Sequence, residues 1–384
     1  KLATGAEWRR EHGNVTDDLA NQPWYTDYTL SYGLDYGGTI DVLEGYAELN
    51  VPVFKDWALG KYLELDGALR GTHNKSEGTA GANDGLSKSH SFVTWKASAI
   101  WDINDWLRLR ATRSRDVRAA QFRELFQSYA VTAGGPFGSV NNPWNAGITD
   151  PVLSTTGGDV NLKPERADTL TLGVVLSPKD GFLSHFRFSA DWYQITIEDA
   201  IVGPPFGLGA QNIVAQCYQA AGQTGPLTGP FCDRITFDPP VDPNADPRSN
   251  LGSVNNKAAN LQGFTTRGID FEAAYTAPMG GGTFSLRVLA SYLYDQLFAP
   301  GTGAPTRNYA GQSGPTAAFG SFNTAPKWQG NAFATFTEGP FSGTVQVRYI
   351  GPGRFMTVTA NGGLAIDPSD PNYSTTNPDS ISDN

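Results

Sequence analysis

The stretch that decides the fold runs from Asn161 to Pro178 and reads Asn-Leu-Lys-Pro-Glu-Arg-Ala-Asp-Thr-Leu-Thr-Leu-Gly-Val-Val-Leu-Ser-Pro. Its second half alternates apolar with small or polar residues, which in an extended chain places one apolar set on a single side: Leu170, Leu172, Val174 and Leu176. Its first half is charged, and Pro164 keeps the backbone extended there. The stretch therefore predicts a strand that begins in water and runs into an apolar band.

The same alternation recurs along the chain and predicts eleven strands, joined by short turns and long loops. One of the tightest turns is expected at Ile103-Asn104-Asp105, and a further loop is expected over residues 75–90. The longest connections are expected at one end of the strands: residues 11–39, 117–165, 201–263, 298–326 and 352–384. Outer-membrane barrels sort their loops by end in this way, whereas sandwiches and propellers do not. The sequence thus predicts an all-β fold, an antiparallel transmembrane β-barrel with long extracellular loops.

One predicted strand, from His185 to about Ala200, changes phase along its length. Its apolar side chains fall at even-numbered positions as far as Trp192 and then at Ile195 and Ile197. An extra residue in one strand of a pair produces such a shift. We therefore expect a β-bulge near Tyr193.

Composition excludes several classes of protein. Aromatic residues make up 12% of the chain and charged residues 17%, against about 25% charged in soluble domains. Aromatic residues flank both the short turns and the loop ends, as two interfacial girdles require. The net charge of −10, without a basic block, argues against nucleic acid as a partner.

No apolar run is long enough for a membrane-spanning helix. The first residues have the pattern of a strand rather than of a signal peptide. The chain is therefore expected to begin mid-fold.

The chain has two cysteines, Cys217 and Cys232, in one segment rich in glycine and proline. This spacing suits a local disulfide that closes a small loop in an oxidising compartment. The alternative is a pair of free thiols in a cytosolic loop.

Four segments of the sequence resemble one family, the TonB-dependent outer-membrane receptors. Residues Asn161–Gly173 resemble the signature strand of that family, and residues Arg113–Phe126 resemble the segment that usually precedes it. Residues Asp191–Ile201 and Thr266–Glu272 match as well. The chain departs from the family at Ala119-Ala120, where Ala-Pro is common, and this departure is expected to loosen the local turn.

The resemblance implies a barrel of 22 strands filled by an N-terminal plug. On that scheme residues 1–384 form a single domain, a partial barrel of about 11 strands that corresponds to strands 9 to 19, with no plug and without the last strands. It also implies a location in the bacterial outer membrane, in contact with its lipid. A small-molecule or oligosaccharide ligand (siderophore-bound iron, cobalamin or an oligosaccharide) is then captured by the loops and imported with energy from the TonB complex, which is engaged through the missing N-terminal part.

No catalytic or metal-binding constellation stands out. The four histidines (His12, His73, His90 and His185) are scattered, and the common catalytic and phosphate-binding motifs are not found. The three aspartates of the segment 238–246 are separated by prolines, which fits a solvated run of turns better than a calcium site. We expect no enzymatic activity, no metal site and no cofactor.

Ligand contacts are expected in the loops, because loops on a rigid barrel vary freely and carry function. The candidates are six loop aromatics and two arginines expected on the lumen side: Tyr129, Phe137, Trp144, Tyr218, Phe231, Tyr309, Arg108 and Arg110. The alternative for each is that it packs the loops against one another or contacts the plug.

Two other functions remain compatible with these patterns. A passive outer-membrane porin obeys the same barrel physics and needs no plug. A soluble, extracellular β-rich binding protein also has strands with one polar face. The sequence upstream of the chain distinguishes the receptor from the porin, and recovery without detergent identifies the soluble protein.

Overall fold

The computed structural model describes residues 1–16, 35–128, 130–132, 139–145, 148–202, 209–240, 242–260, 263–299, 306–312 and 325–353. Eleven long strands form one antiparallel sheet, which we call the wall. In chain order they are β1 (Leu2–Val15), β2 (Tyr36–Trp57), β3 (Gly60–Ala80), β4 (Ser87–Asp102), β5 (Leu107–Arg118), β6 (Glu165–Leu176), β7 (Phe186–Glu198), β8 (Gly263–Met279), β9 (Gly282–Ala299), β10 (Trp328–Glu338) and β11 (Phe341–Ile350).

Each strand of the wall pairs with its neighbours in the chain, and the short strand Arg307–Asn308 is added beside β9. The sheet ends at β1 on one side and at β11 on the other. This arrangement confirms the predicted fold class: the protein is all-β, and the wall is a fragment of an antiparallel transmembrane barrel that is not closed among the described residues.

Short turns join the strands at one end of the wall. In the turn between β4 and β5, the side-chain oxygen of Asn104 accepts hydrogen bonds from the backbone N–H groups of Trp106 (3.0 Å) and Leu107 (2.9 Å). The turn between β8 and β9 has Gly280 and Gly281 at φ of 58° and 90°, a region that side chains with a Cβ rarely enter. The predicted tight turns are therefore built by residues suited to them.

The wall has an outer face that carries the apolar alternation. Leu43 on β2, Leu172 on β6 and Val345 on β11 project from this face and are 56%, 49% and 67% exposed. Large apolar side chains exposed at this level are typical of a surface that faces lipid. The opposite, inner face carries polar and charged side chains, such as Arg108 and Arg110 on β5.

The alternation reverses near the loop end of β2. Ile40 and Val42 are buried on the inner face, at 5% and 6% exposure, whereas Asp41 between them lies on the outer face. Asp41 accepts a hydrogen bond from Nε of Arg10 on β1 (2.6 Å), so both charged residues lie outside. Strands therefore continue beyond the apolar band with their polarity inverted.

This inversion corrects the bounds of two predicted loops. The loop expected at 11–39 is shorter, because β1 runs to Val15 and β2 begins at Tyr36. Most of the loop expected at 75–90 is strand, because β3 runs to Ala80 and β4 begins at Ser87. These segments pair in register although their apolar period is reversed.

The predicted bulge near Tyr193 is wrong. β7 pairs with β6 and with β8 in continuous register from Phe186 to Glu198. Ile195 and Ile197 lie on the inner face because β7, like β2, continues beyond the apolar band with its polarity inverted. A register shift does occur on the neighbouring pair, where β9 inserts Tyr294 opposite the step from Arg267 to Gly268.

The described parts of the connections between β5 and β6, β7 and β8, and β9 and β10 form a second layer, which we call the hood. It contains the helices α1 (Phe122–Phe126) and α2 (Ala210–Ala221). Its short strands are Ala130–Thr132, Ser139–Asn141, Thr149–Pro151, Leu153–Thr156, Ile201–Val202, Ile235–Phe237, Leu251–Asn255 and Ala259–Asn260. Short 3-10 helices occur at Cys232–Arg234 and Pro247–Ser249 in the hood, and at Gly81–Asn83 and Phe182–His185 in the wall turns. Among the described residues no helix has the length and apolar content to cross a membrane.

Two apolar cores hold the hood. The larger joins the three connections and consists of Val140, Trp144, Val152, Ile213, Val214, Cys217, Phe231, Cys232, Ile235, Leu251, Val254, Phe298 and Tyr309. The smaller seats the hood on β2 and consists of Ile40, Val42, Leu125, Phe126, Val160, Leu162, Ile201 and Ala258. The hood is thus fixed to the inner face of the wall at its loop end.

Candidate ligand-binding site

Helix α1 lies directly on the backbone of β2. The ring of Phe126 is fully buried, and a Cβ added to Gly38 would lie 2.4 Å from one of its atoms. Phe122 likewise approaches Gly13 on β1, where an added Cβ would lie 2.8 Å from the ring. Glycine at these two positions lets both aromatic rings pack flat on the wall.

A half-buried ion cluster joins the hood to the ends of the wall strands. Arg118, the last residue of β5, donates from Nε to Glu165 (2.6 Å) and from Nη1 and Nη2 to Glu124 of α1 (2.9 and 3.1 Å). Glu165, the first residue of β6, also accepts from the backbone N–H of Ile201 (2.5 Å). Glu124 accepts from the backbone N–H of Gln121 (2.7 Å), which caps α1. The cluster connects the beginning and end of one loop to the beginning of the next.

Four of the six predicted aromatics lie in or against the larger core. Trp144 and Phe231 are 5% and 4% exposed, and Tyr309 is 3% exposed. The indole N–H of Trp144 donates to the carbonyl oxygen of Gly222 (3.0 Å), and its ring meets that of Tyr218 edge-on at 5.3 Å between centroids. Tyr218 is the most accessible of the four. Tyr129 and Phe137 lie outside the described residues.

The predicted disulfide between Cys217 and Cys232 is confirmed. It joins α2 to the following 3-10 helix, with 4.8 Å between the Cα atoms. Both sulfur-bearing residues are buried in the larger core, at 0% and 5% exposure. The disulfide therefore holds the middle of the loop between β7 and β8 together.

Arg108 and Arg110 lie on the inner face as predicted, and each is held by a carboxylate. Arg108 donates from Nε and Nη2 to Asp102 (2.5 and 2.9 Å), and Arg110 donates from Nε to Asp191 (2.6 Å) and also from Nη2. A cavity of about 350 Å³ beside Arg108, near the short turns, is also lined by Lys179 and Arg187. Among the described residues neither of these two cations has a carboxylate partner, so the cavity carries free positive charge.

Two polar groups, one buried and one half-buried, order the hood and were not indicated by the sequence. The carboxylate of Asp150, 5% exposed, accepts from Nδ2 of Asn142 (2.8 Å) and from the backbone N–H of Leu251 (2.9 Å). Arg234 donates from Nη1 to the carbonyl oxygens of Asn255 and Lys257 (3.0 Å each), and its burial lowers the pKa of the guanidinium. Single polar residues in a loop carry no periodic signal, which is why the pattern did not single them out.

Within the described part of the chain, no group of three or more histidine, cysteine, aspartate or glutamate side chains is placed to hold a metal ion.

The meander of long strands with loops sorted to one end corresponds to a described family. The model of the TonB-dependent receptor-like β-barrel matches residues 1–377. The chain belongs to this family. The resemblance carried by Asn161–Gly173 is thereby confirmed, and that stretch forms the entry to and most of β6 in this receptor-family barrel. No protein of curated function is significantly similar to the chain.

Solved structures with a similar fold include the copper transporter OprC, with a TM-score of 0.52 and 14% identity, covering 91% of this chain and 40% of that protein. The FrpB iron transporter of Neisseria meningitidis aligns with a TM-score of 0.49 and 15% identity, over 92% of this chain and 41% of its own. A mutant of the ferric enterobactin receptor PfeA of Pseudomonas aeruginosa aligns with a TM-score of 0.47 and 11% identity, over 100% and 50%. The chain thus spans half or less of the length of these proteins.

Proposed function

We propose that the chain forms part of a TonB-dependent receptor that takes up a scarce ligand across the bacterial outer membrane. The observation that carries the proposal is the family match over residues 1–377. The candidate ligand classes are siderophore-bound iron, cobalamin and oligosaccharides. The proposed activity is capture and energy-coupled import, without enzymatic conversion of the ligand.

The two layers suggest a division of labour. The wall, with its apolar outer face, contacts the lipid of the outer membrane, and the hood stands outside the membrane where a ligand arrives. Two cores, a disulfide and the Arg118 cluster hold the hood to the wall. A preorganised hood lowers the entropy that a bound ligand must offset.

The proposed ligand contacts remain the aromatics and arginines singled out from the sequence. Tyr218 is the most accessible of the described ones, and Trp144 supports its ring from behind. Phe231 and Tyr309 act through the shape of the hood, because both are buried. Arg108 and Arg110 are already paired with Asp102 and Asp191. A ligand must therefore displace these carboxylates to bind either guanidinium.

The proposed partners follow from the same reading. Energy is expected to come from the TonB complex, which contacts a part of the receptor that precedes this chain. The wall is expected to contact membrane lipid, and nucleic acid is not a partner at a net charge of −10.

The test is a growth and uptake assay in cells that carry or lack the complete gene, supplied with one iron chelate, cobalamin or oligosaccharide at a time. We expect saturable uptake of one ligand that disappears when the proton gradient is collapsed or TonB is deleted. Graded, non-saturable uptake that survives both treatments would identify a porin. Recovery of the protein in the aqueous fraction without detergent would identify the soluble binding protein.

A further inference from the structure

The charged cavity of about 350 Å³ lies at the short-turn end of the wall, away from the hood. Its floor is the end of β6, where Val175 and Ser177 present short side chains. Val175 is in register with Arg108 on β5, and the pairing of β6 with β7 places Arg187 beside Ser177. The two arginines therefore flank the same strand, with about 10 Å between their backbones at the strand spacing of a sheet.

The short turns that form the rim of this cavity are tied to one another. Lys61 at the start of β3 pairs with Asp105 in the turn between β4 and β5. The carbonyl oxygen of Trp106 accepts from the backbone N–H of Ser177 (2.8 Å), which joins that turn to the end of β6. The side chain of Asn104 caps the same turn. The backbone of the rim is thus fixed before any ligand binds, which lowers the entropy that binding must offset.

The lining of the cavity carries an excess of positive charge. Four of the side chains that line it are cationic and two are acidic: Lys61, Arg108, Lys179, Arg187, Asp102 and Asp105. Both carboxylates are engaged, since Asp105 pairs with Lys61, and Asp102 accepts from Nε and Nη2 of Arg108 (2.5 and 2.9 Å). These bonds use two of the five N–H groups of the Arg108 guanidinium and leave the others available.

Lys179 and Arg187 supply the charge that is not balanced. Both are exposed, and among the described residues neither pairs with a carboxylate. Glu272, on the strand next to β7, accepts from Nε of Arg287 (2.9 Å), and Asp180, next to Lys179 in the chain, does not line the cavity. Cations gathered in one concave site attract an anion, because an opposite charge between them offsets their mutual repulsion.

We propose that this cavity binds a small dianion, a molecule with two negative charges on oxygen atoms. An oxygen-bearing group lies between the guanidiniums of Arg108 and Arg187, and the ammonium group of Lys179 closes the site from the turn. A guanidinium presents parallel N–H groups that match two oxygens of a phosphate or a carboxylate. The volume is at the lower end of the sizes of small-molecule sites, which suits a phosphate, a small phosphate ester or a dicarboxylate.

This site is separate from the proposed capture of a ligand by the hood. It is built from residues at the opposite end of the wall, and the inference does not rest on the identity of the transported ligand.

The test uses the complete protein in detergent micelles, titrated calorimetrically with sulfate, phosphate, succinate or nitrate at constant ionic strength and slightly alkaline pH. We expect saturable binding of the dianions and binding of nitrate, a monoanion, that is weaker by about tenfold, the factor that one charged hydrogen bond contributes. Tighter binding of sulfate and phosphate than of succinate assigns the site to a tetrahedral oxyanion. The reverse order assigns it to a dicarboxylate.

Variants place the binding in this cavity. Arg187→Gln and Lys179→Gln each remove one unbalanced charge and are expected to weaken sulfate binding by about tenfold. Arg187→Lys keeps the charge and is expected to retain most of the affinity. Arg348→Gln is the matched control, because Arg348 is an exposed inner-face arginine at the loop end of β11 without a carboxylate partner among the described residues. It is expected to bind sulfate like wild type, and equal unfolding midpoints show that all variants are folded.

Chemical labelling gives an independent readout of the position. Bound sulfate is expected to protect Lys179 from acetylation by an amine-reactive reagent, whereas Lys75, exposed on the outer face of β3, should react at an unchanged rate. Mass spectrometry of the digested protein measures both rates.

Equal affinity for sulfate and nitrate overturns the dianion site, and so does an unchanged affinity for sulfate in both Arg187→Gln and Lys179→Gln. A loss in Arg348→Gln as large as in Arg187→Gln shows non-specific attraction and also overturns it. Absence of sulfate binding to the complete protein overturns the site as well. Absence of energy-dependent import together with intact sulfate binding overturns the proposed function and leaves this site standing.

Discussion

Glu165, at the start of β6, accepts hydrogen bonds from Arg118 at the end of β5 and from the backbone N–H of Ile201 in the hood, and its side chain is only 15% exposed. Glu165→Gln keeps the size of the side chain and one acceptor oxygen but removes the charge that strengthens its bonds to Arg118 and to the N–H of Ile201. We expect the free energy of unfolding to fall by about 1–3 kcal/mol, since hydrogen bonds to charged groups contribute that much. Thermal unfolding of the purified protein measures the change.

Glu77→Gln is the matched control for this carboxylate. Glu77 pairs with Lys75 on the outer face of β3, and the two side chains are 50% and 46% exposed. Exposed pairs contribute little because water screens them, so the unfolding midpoint should not move. A shift as large as that of Glu165→Gln would contradict a special role for the Arg118 cluster.

His90 lies on β4 beyond the apolar band, in an environment that disfavours its protonated form. Burial lowers its pKa below the usual 6.5, and the nearby charges of Lys88 and Lys163 lower it further, whereas a hydrogen bond with the backbone of Leu162 opposes them. Below about pH 6.5 the unfolded chain binds a proton that the folded chain resists. Stability is therefore expected to fall as the pH drops from about 6.5, and His90→Gln should flatten that fall in unfolding measured between pH 7 and pH 5.

His185→Gln serves as the comparison for the pH series. His185 lies at the short-turn end of the wall, is exposed, and bonds through Nδ1 with the carbonyl oxygen of Thr276 (2.8 Å). If this variant flattened the pH response as much as His90→Gln, burial of His90 would not be the cause.

At the level of elements, the disulfide is expected to govern the hood and leave the wall unchanged. Cys217 and Cys232 are 15 residues apart, and closing a loop of that length contributes about 3 kcal/mol in the chain-entropy account. In a Cys217→Ala/Cys232→Ala variant, limited proteolysis should cut within residues 209–260 at protease concentrations that leave wild type intact. Mass spectrometry of the fragments locates the cuts.

Reductant provides the internal check on this prediction. It should sensitise the wild type to the same cuts once the buried bond opens, and it should have no effect on the double alanine variant. Cuts that appear first in the wall strands would show that the disulfide supports the whole sheet rather than the hood.

The wall strands could be predicted because a side chain on a strand alternates between two faces, and lipid requires one face to be apolar. The same rule explains both errors. Ile40 and Val42 on β2 are apolar on the inner face because hood residues pack on them there. Ile195 and Ile197 on β7 lie on the same inner face. When the apolar side chains of a strand change from one face to the other without an inserted residue, the sequence alone suggests a loop or a bulge.

The hood could not be predicted in the same way. Its short strands and helix α2 follow no sustained period, and its packing depends on contacts between loops far apart in the chain, such as Trp144 with Gly222. Aromatic residues in loops therefore gave candidates for ligand contact, while the structure places Trp144, Phe231 and Tyr309 inside a core. The disulfide was predictable because two cysteines in one short segment leave only one pairing.

For the whole molecule, the change of polarity along β2, β6 and β8 implies a fixed depth in the membrane. The boundary lies near Leu43 on β2, Leu170 on β6 and Ile269 on β8, and the strands beyond it carry charge outside and the hood inside. Charge on the outer face above an apolar band is expected of a barrel wall that spans lipid for part of its height and is surrounded by water above it.

Cysteine labelling on β4 tests that depth directly. Ser89 and Ala97 lie on the same outer face, both exposed and eight positions apart, which is about 26 Å along a strand. The two native cysteines form the disulfide, so single Ser89→Cys and Ala97→Cys variants carry one free thiol each. In intact cells a charged maleimide should label Ser89→Cys and spare Ala97→Cys, whereas both should react after the protein is denatured. Equal labelling of the two in cells would place the whole wall in water, and the receptor would have to be abandoned for the soluble binding protein.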